Sequence, residues 1–166
     1  LAKLKPKNIN DLAAMNALYR PGPMDLIPEF IERKHGKKEV TYLHPDMEQV
    51  LKETYGVIVY QEQVMQLVRV IAGYSLAKAD LVRRAMGKKD EKLMKEQEEE
   101  FIKGAHELGY NKKVAKEIFK LILKFADYGF NKSHSVAYSV LAYYTAYLKT
   151  HYPLEFMTAQ LNCRYE

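Results

Sequence analysis

Apolar residues recur along most of this chain at three- and four-residue intervals, interrupted by proline, glycine and asparagine, which predicts a succession of helices. Leu1 to Ile9 alternates lysines (Lys3, Lys5, Lys7) with isolated apolar residues and reads as an extended basic lead-in. Asn10 suits the cap of a helix through Leu12, Met15 and Leu18, and Pro21 forbids its continuation. Arg20-Pro21-Gly22-Pro23 reads as a stiff turn, because two prolines fix φ on either side of a permissive glycine. Pro28 suits the first turn of a helix continuing through Phe30, Ile31 and Arg33 to Gly36. Lys34, His35, Lys37 and Lys38 then form a basic cluster, read as a mobile loop. His44-Pro45-Asp46 opens a helix over Met47 to Thr54, which Gly56 ends. Val57-Ile58-Val59-Tyr60 is β-branched and short, a lone strand or an extended link.

The second half is more strongly periodic. Val64, Leu67, Val68 and Ile71 give Gln61 to Ala72 a buried face, and Gln61, Glu62 and Gln63 open that helix. Gly73 ends it, and Ser75 can cap the next, whose stripe is Leu76, Leu81, Val82, Ala85 and Met86 up to Gly87. Asp90 can cap a long helix from Glu91 to Leu108, with Glu96 to Glu100 as a solvated face. After Gly109, a helix from Lys112 to Phe125 carries a core stripe of Ile118, Leu121, Ile122 and Phe125, and Gly129 ends that stretch. Ser133 or Ser135 can cap a helix reaching His151, in which Tyr138, Tyr143, Tyr144 and Tyr147 at helical spacing read as core. Pro153 starts a last helix through Phe156 and Met157. The fold class is therefore mainly α, an irregular multi-helix domain of about eight helices with at most one short strand or hairpin.

Composition narrows the function classes. A chain of 166 residues with 48% hydrophobic content is one domain by length and can bury a core. Eight glycines and six prolines are few, which favours helices over a turn-rich β fold. The net charge of +5 permits contact with nucleic acid without requiring it. A single cysteine, Cys163, rules out an internal disulfide framework and agrees with a reducing, cytoplasmic setting. His35 and His44 lack ligand-like spacing to other metal-binding side chains. No signal peptide is visible, and the uncharged run Ser133 to Leu148 falls short of the roughly 20 residues of a membrane span. A start without Met agrees with a segment of something longer.

Two basic stretches carry the candidate chemistry. Arg83 and Arg84, followed by Lys88 and Lys89, place four cations within seven residues, a compact site for phosphate. Adjacent arginines point about 100° apart on a helix and can do different jobs. Asp80 lies three and four residues before them, so an ordinary surface ion pair is the plain alternative. Lys132, Ser133 and His134 fall where a helix begins, with its free N–H groups and positive dipole end. A lysine, a hydroxyl, an imidazole and a helix N-terminus together suit an anion, most naturally a phosphate. Acidic residues number 21, yet no Asp-x-Asp occurs, so no carboxylate pair stands ready for a two-metal centre.

ALYRPGPM (17–24), ADLVRRAMGKK (79–89) and FNKSHSVAYSVLAYYTAYLKTHYP (130–153) together resemble the bacterial replicative polymerases of the C family, the DNA polymerase III alpha subunits. The resemblance runs over nearly all 166 residues, includes the YQEQVM stretch (60–65), and is to the fingers domain of that family. It implies that Arg83, Arg84, Lys132, Ser133 and His134 contact the triphosphate of the incoming deoxynucleotide. It implies DNA or phosphate contacts for Arg20, Lys88 and Lys89. His134 is then a phosphate donor or a general acid. Catalytic aspartates and the Mg²⁺ they hold are implied for the palm, so this chain carries no catalytic residue, binds no metal and is inactive alone. Implied partners are the deoxynucleotide, primer-template DNA, the remaining polymerase domains and other replisome subunits, with no membrane. Two rival classes stand beside this one: a stand-alone helical DNA-binding module, and a protein-interaction domain using the tyrosine-rich helix.

Overall fold

The computed structural model describes residues 1–88, 91–126 and 128–165, and side chains within these except at 86–88, 91–93, 126 and 165. Helix α1 (Ile9–Leu18) is capped by Asn8, whose side chain accepts the Asp11 amide at 2.9 Å; the predicted cap, Asn10, lies inside the helix. Both are good capping types. Starting at Asn8 places Asp11 in the first turn, where the dipole favours a carboxylate. The lead-in is not extended. Lys5 donates its amide to Leu1 at 3.0 Å with φ +47°, a turn that lets Leu4 bury completely.

A 3₁₀ turn at Pro23–Leu26 leads into α2 (Ile27–Lys34), and α3 (Glu48–Leu51) is a short helix flanked by 3₁₀ turns at Pro45–Met47 and Lys52–Thr54. Next come α4 (Gln61–Ala72), α5 (Leu76–Lys88), α6 (Glu91–Glu107), α7 (Lys112–Ala126), α8 (Lys132–His151) and α9 (Pro153–Tyr165). The described residues thus form nine α-helices, and the protein is mainly α as expected. Val57–Tyr60 is an extended link; a parallel bridge joins Tyr60 to Phe130.

Helix α4 is the hub, with α5, α6 and α7 packed on it. Val64, Leu67, Val68 and Ile71 are buried as their spacing predicts. Gly73 takes φ +69° at the C-terminus of α4, and the Ser75 hydroxyl accepts the Lys78 amide at 3.2 Å to cap α5. The approach of α6 to α4 requires a glycine, since a Cβ on Gly104 would meet the Ala72 carbonyl oxygen at 2.5 Å. The stripe on α5 differs from the predicted one. Ala79, Val82 and Ala85 are buried, whereas Leu76 and Leu81 are exposed, because only the face of small residues meets the hub. The predicted Asp90 cap lies outside the described residues.

Helix α8 packs along α1 through small residues. Ser135 and Ser139 are buried against α1, and the Ser135 hydroxyl donates to the Ala13 carbonyl at 2.6 Å. Ala13, Ala14 and Ala17 are buried on α1, together with Met15 and Leu18. The tyrosines of α8 are not core: Tyr138, Tyr143, Tyr144 and Tyr147 are all exposed, Tyr144 by 60%. The seam uses the serine face, and past it the main helical neighbour of α8 is α9, itself largely exposed.

The 34–38 cluster is tied down rather than mobile. Lys34 pairs with Asp11 at 2.8 Å, the two side chains exposed by only 5% and 4%. Asp11 also accepts the Lys7 amide at 2.7 Å, and Lys38 pairs with Glu29 at 2.7 Å. Burial pushes the Asp11 carboxyl up, but the Lys34 ammonium and the Lys7 amide outweigh that and hold it below its ordinary value. Its contribution is therefore complete above the ordinary aspartate range and is lost as pH falls through the depressed value. Asp11→Ala would leave a buried ammonium without its carboxylate, and should cost about 3–5 kcal/mol. Urea denaturation of the 166-residue chain at neutral pH checks this, and a midpoint unchanged by the substitution would refute it.

Candidate functional site

Residues 57–63 form the floor of the site. Val57, Ile58, Val59 and Tyr60 are buried, so their backbone groups need partners inside the protein. Gln63 supplies several. Its Oε1 accepts the amides of Val59 at 2.8 Å and Tyr60 at 3.1 Å, while its Nε2 donates to Thr54 Oγ1 at 2.8 Å. Thr54 in turn donates to the Val57 carbonyl at 2.6 Å. Burial also raises the Tyr60 phenol, which stays protonated.

Gln61 and Glu62 join this floor to the segment that begins α8. The Gln61 amide donates to the Phe130 carbonyl at 2.9 Å, and the Phe130 amide to the Val59 carbonyl at 3.2 Å. Gln61 Nε2 reaches the Gly129 carbonyl at 3.0 Å. A Cβ on Gly129 would press on Gln61 Cγ at 3.0 Å, so the close crossing favours glycine. The Glu62 carboxylate accepts the Lys132 amide at 3.0 and 3.1 Å and the Asn131 side chain at 3.2 Å. Asn131, rather than Ser133 or Ser135, is the cap of α8, accepting the His134 amide at 2.8 Å. A carboxylate and an amide oxygen thus meet the positive end of the helix.

The cations stand around this floor. Arg83 donates to Asp80 at 2.9 Å through Nε and reaches Gln61 Oε1 at 3.4 Å, and Arg84 pairs with the other Asp80 oxygen at 2.8 Å. Those hydrogen bonds, led by that from Arg83, hold the Asp80 carboxyl below its ordinary value. Lys132 Nζ pairs with Glu53 at 2.5 Å and lies 5.6 Å from the Tyr60 ring centre. The His134 ring lies between Phe130, at 5.5 Å, and Tyr138, at 4.5 Å, and Ser133 is exposed in the same turn. Arg20 sits on the Pro21–Pro23 corner, its guanidinium donating to the Ala17 and Tyr128 carbonyls at 2.8 and 2.6 Å and stacking on Phe130 at 4.5 Å. Gly22, at φ +104°, abuts Tyr128, whose ring a Cβ would meet at 2.2 Å.

Arg83 and the 128–134 segment are therefore brought to adjacent residues at the start of α4, although the main neighbours of α8 are α1 and α9 and those of α5 are α4, α6 and α7. Lys88 closes α5, its side chain outside those described, and Lys89 lies outside the described residues. Sequence reasoning gave no role to Gln61, Glu62, Gln63, Glu53 or Asn131. Only the YQEQVM motif signalled the first three. Among the described residues no group of three or more His, Cys, Asp or Glu side chains could hold a metal ion. Asp80, Glu53 and Glu62 each answer a cation or a helix amide. No helix among the described residues is long and apolar enough to cross a membrane.

Residues 1–109 match the family described as the bacterial DNA polymerase III alpha subunit finger domain. A protein of Halalkalibacterium halodurans named DNA polymerase III subunit alpha is 58% identical over 159 residues, covering 96% of this chain and 14% of that protein. One of the same name from Borreliella burgdorferi is 58% identical over 161 residues, 97% of this chain and 14% of the relative. A third, from Campylobacter jejuni, is 56% identical over 162 residues, again 14% of its length. The chain spans about one seventh of these curated relatives.

Removing the acceptor that Glu62 gives the first turn of α8 should loosen that end. Glu62→Ala is expected to cost about 0.5–2 kcal/mol, in line with lost caps, while Glu62→Gln keeps an oxygen and costs less. Amide hydrogen exchange read at Lys132 should quicken in the alanine variant; equal protection in all three proteins would count against the contact.

Proposed function

The chain belongs to the family of bacterial DNA polymerase III alpha subunit finger domains, and on that premise we propose that it holds the triphosphate of an incoming deoxynucleotide and helps position primer-template DNA for template-directed synthesis. The observation that carries the reading is the tie of Arg83 to Gln61 while the next residue, Glu62, holds the Lys132 amide. Cations about 50 residues apart in sequence thereby flank one helix start. A fingers role fits a segment of this size within relatives several times longer.

In this reading Arg83, Arg84 and Lys132 neutralise phosphate charge, and Ser133 and His134 donate from the first turn of α8. Arg83 and Arg84 each keep N–H groups beyond those bound to Asp80, so phosphate can be held without breaking that pair. Arg20, Lys88 and Lys89 contact DNA or phosphate. Among the described residues Arg20 is held in place by two carbonyls and an aromatic face and touches no carboxylate. Catalytic aspartates in the palm of the parent polymerase would hold Mg²⁺, and the metal would supply activation of a hydroxyl nucleophile and charge neutralisation at phosphate. The remaining polymerase domains and other replisome subunits are the protein partners, in the cytoplasm. The chain alone does not catalyse extension.

In the full-length polymerase, Arg83→Ala, Arg84→Ala or Lys132→Ala should each cost about 1.5–3 kcal/mol of charge-assisted contact, roughly ten- to hundredfold in nucleotide use. Loss of ground-state triphosphate binding appears in KM and loss of charge stabilisation at the leaving group in kcat. Steady-state kinetics at saturating DNA read both. Variants impaired only in DNA binding, with kcat and nucleotide KM unchanged, would overturn the assignment. Primer extension by the isolated chain would overturn the placement of catalysis in the palm. Tight, sequence-specific and salt-resistant duplex binding by that chain would favour a stand-alone DNA-binding module instead.

A further inference from the structure

Each of the three cations assigned to the triphosphate already touches a carboxylate, but the pairs differ in kind. Asp80 is three and four residues from its arginines on the same helix, and it can stay in place when phosphate arrives. Lys132 is held by Glu53, 79 positions away in sequence and on a different element, at 2.5 Å. Both side chains are about one-third exposed (36% and 37%), so the pair sits at the mouth of the site and not in its floor. Among the described residues the Glu53 carboxylate bonds to Lys132 alone, while its backbone is restrained by its neighbours. Thr54, the next residue, is buried and bonded to the Leu51 and Val57 carbonyls, which fixes the turn from which Glu53 projects.

An ammonium is a compact charge on a flexible stem. A phosphate that approaches it meets the Glu53 carboxylate at the same nitrogen, and two anions there repel each other. Resting on the reading of the previous subsection, we propose that Glu53 is an affinity-setting residue of the triphosphate site: a built-in anion that occupies Lys132 when no nucleotide is present and must swing away when one binds. The competition acts as a charge threshold. A triphosphate, with several negative charges also facing Arg83 and Arg84, displaces the carboxylate, whereas a singly charged anion gains too little to do so. Partial exposure also makes the pair sensitive to salt.

The test uses full-length polymerase with steady-state kinetics at saturating primer-template. Glu53→Gln keeps the shape and removes the charge. Exposed pairs contribute a few tenths to about 1 kcal/mol, so the variant should lower KM for the deoxynucleotide about two- to fivefold at low ionic strength. The gain should shrink as salt rises. It should also vanish in a Lys132→Ala background, where no ammonium remains to be contested. A purely structural role for Glu53 predicts the opposite sign, a loss that persists without Lys132. Unchanged or raised KM in Glu53→Gln, with Lys132→Ala still raising KM, overturns this proposal and leaves the triphosphate site standing. An Lys132→Ala enzyme with unaltered nucleotide kinetics overturns both.

Discussion

Backbone that crosses a protein interior without helix or sheet must find every hydrogen bond locally, and residues 57–60 impose that demand on this fold. Gln63, Thr54 and the Phe130 peptide meet it for Val57, Val59 and Tyr60. Each of the three joins a different part of the chain to the same short link. Thr54 anchors the turn that carries Glu53, Gln63 belongs to the hub helix, and Phe130 precedes α8. The basic side chains around the link are thus positioned by a buried polar network, where a missing partner costs more than any one contact contributes.

Helix existence was legible because the chain's periodicity is strong. The buried faces of α4 and α7 follow directly from Val64, Leu67, Val68 and Ile71 and from Ile118, Ile122 and Phe125. Helix starts were less so. Asn8 and Asn10, or Asn131, Ser133 and Ser135, offer several capping side chains within a few residues. The choice between them depends on distant partners such as Lys34 and Glu62. The tyrosines of α8 misled for a related reason. Spacing identifies a face but not what covers it, and the covered face here consists of serines meeting alanines. Hydrophobic size was the wrong guide, also at Leu76 and Leu81.

The candidate site shows the same division. Arg83, Lys132 and His134 stood out by residue type and by their place near helix ends. Gln61 and Glu62 are ordinary residues for a polar first turn, and their work depends on Gly129, Asn131 and Lys132, some 70 positions away. No local pattern encodes such a pairing. Glu53 is still less conspicuous, a single acid in a short turn whose significance comes from one ammonium across the fold.

The serine–alanine seam between α1 and α8 has a mechanical consequence. Small side chains let the two helices lie close, and the Ser135 hydroxyl fixes their register at a single carbonyl. Sliding either helix would strand that hydroxyl or drive Cβ atoms into backbone, so the pair resists shear. Arg20 follows the end of α1 and Lys132 begins α8. The seam makes the two helices one stiff strut with both cations at the same end, where Arg20 stacks on Phe130, and a displacement felt at the first turn of α8 is passed to the proline corner as a whole-body movement instead of being absorbed between them.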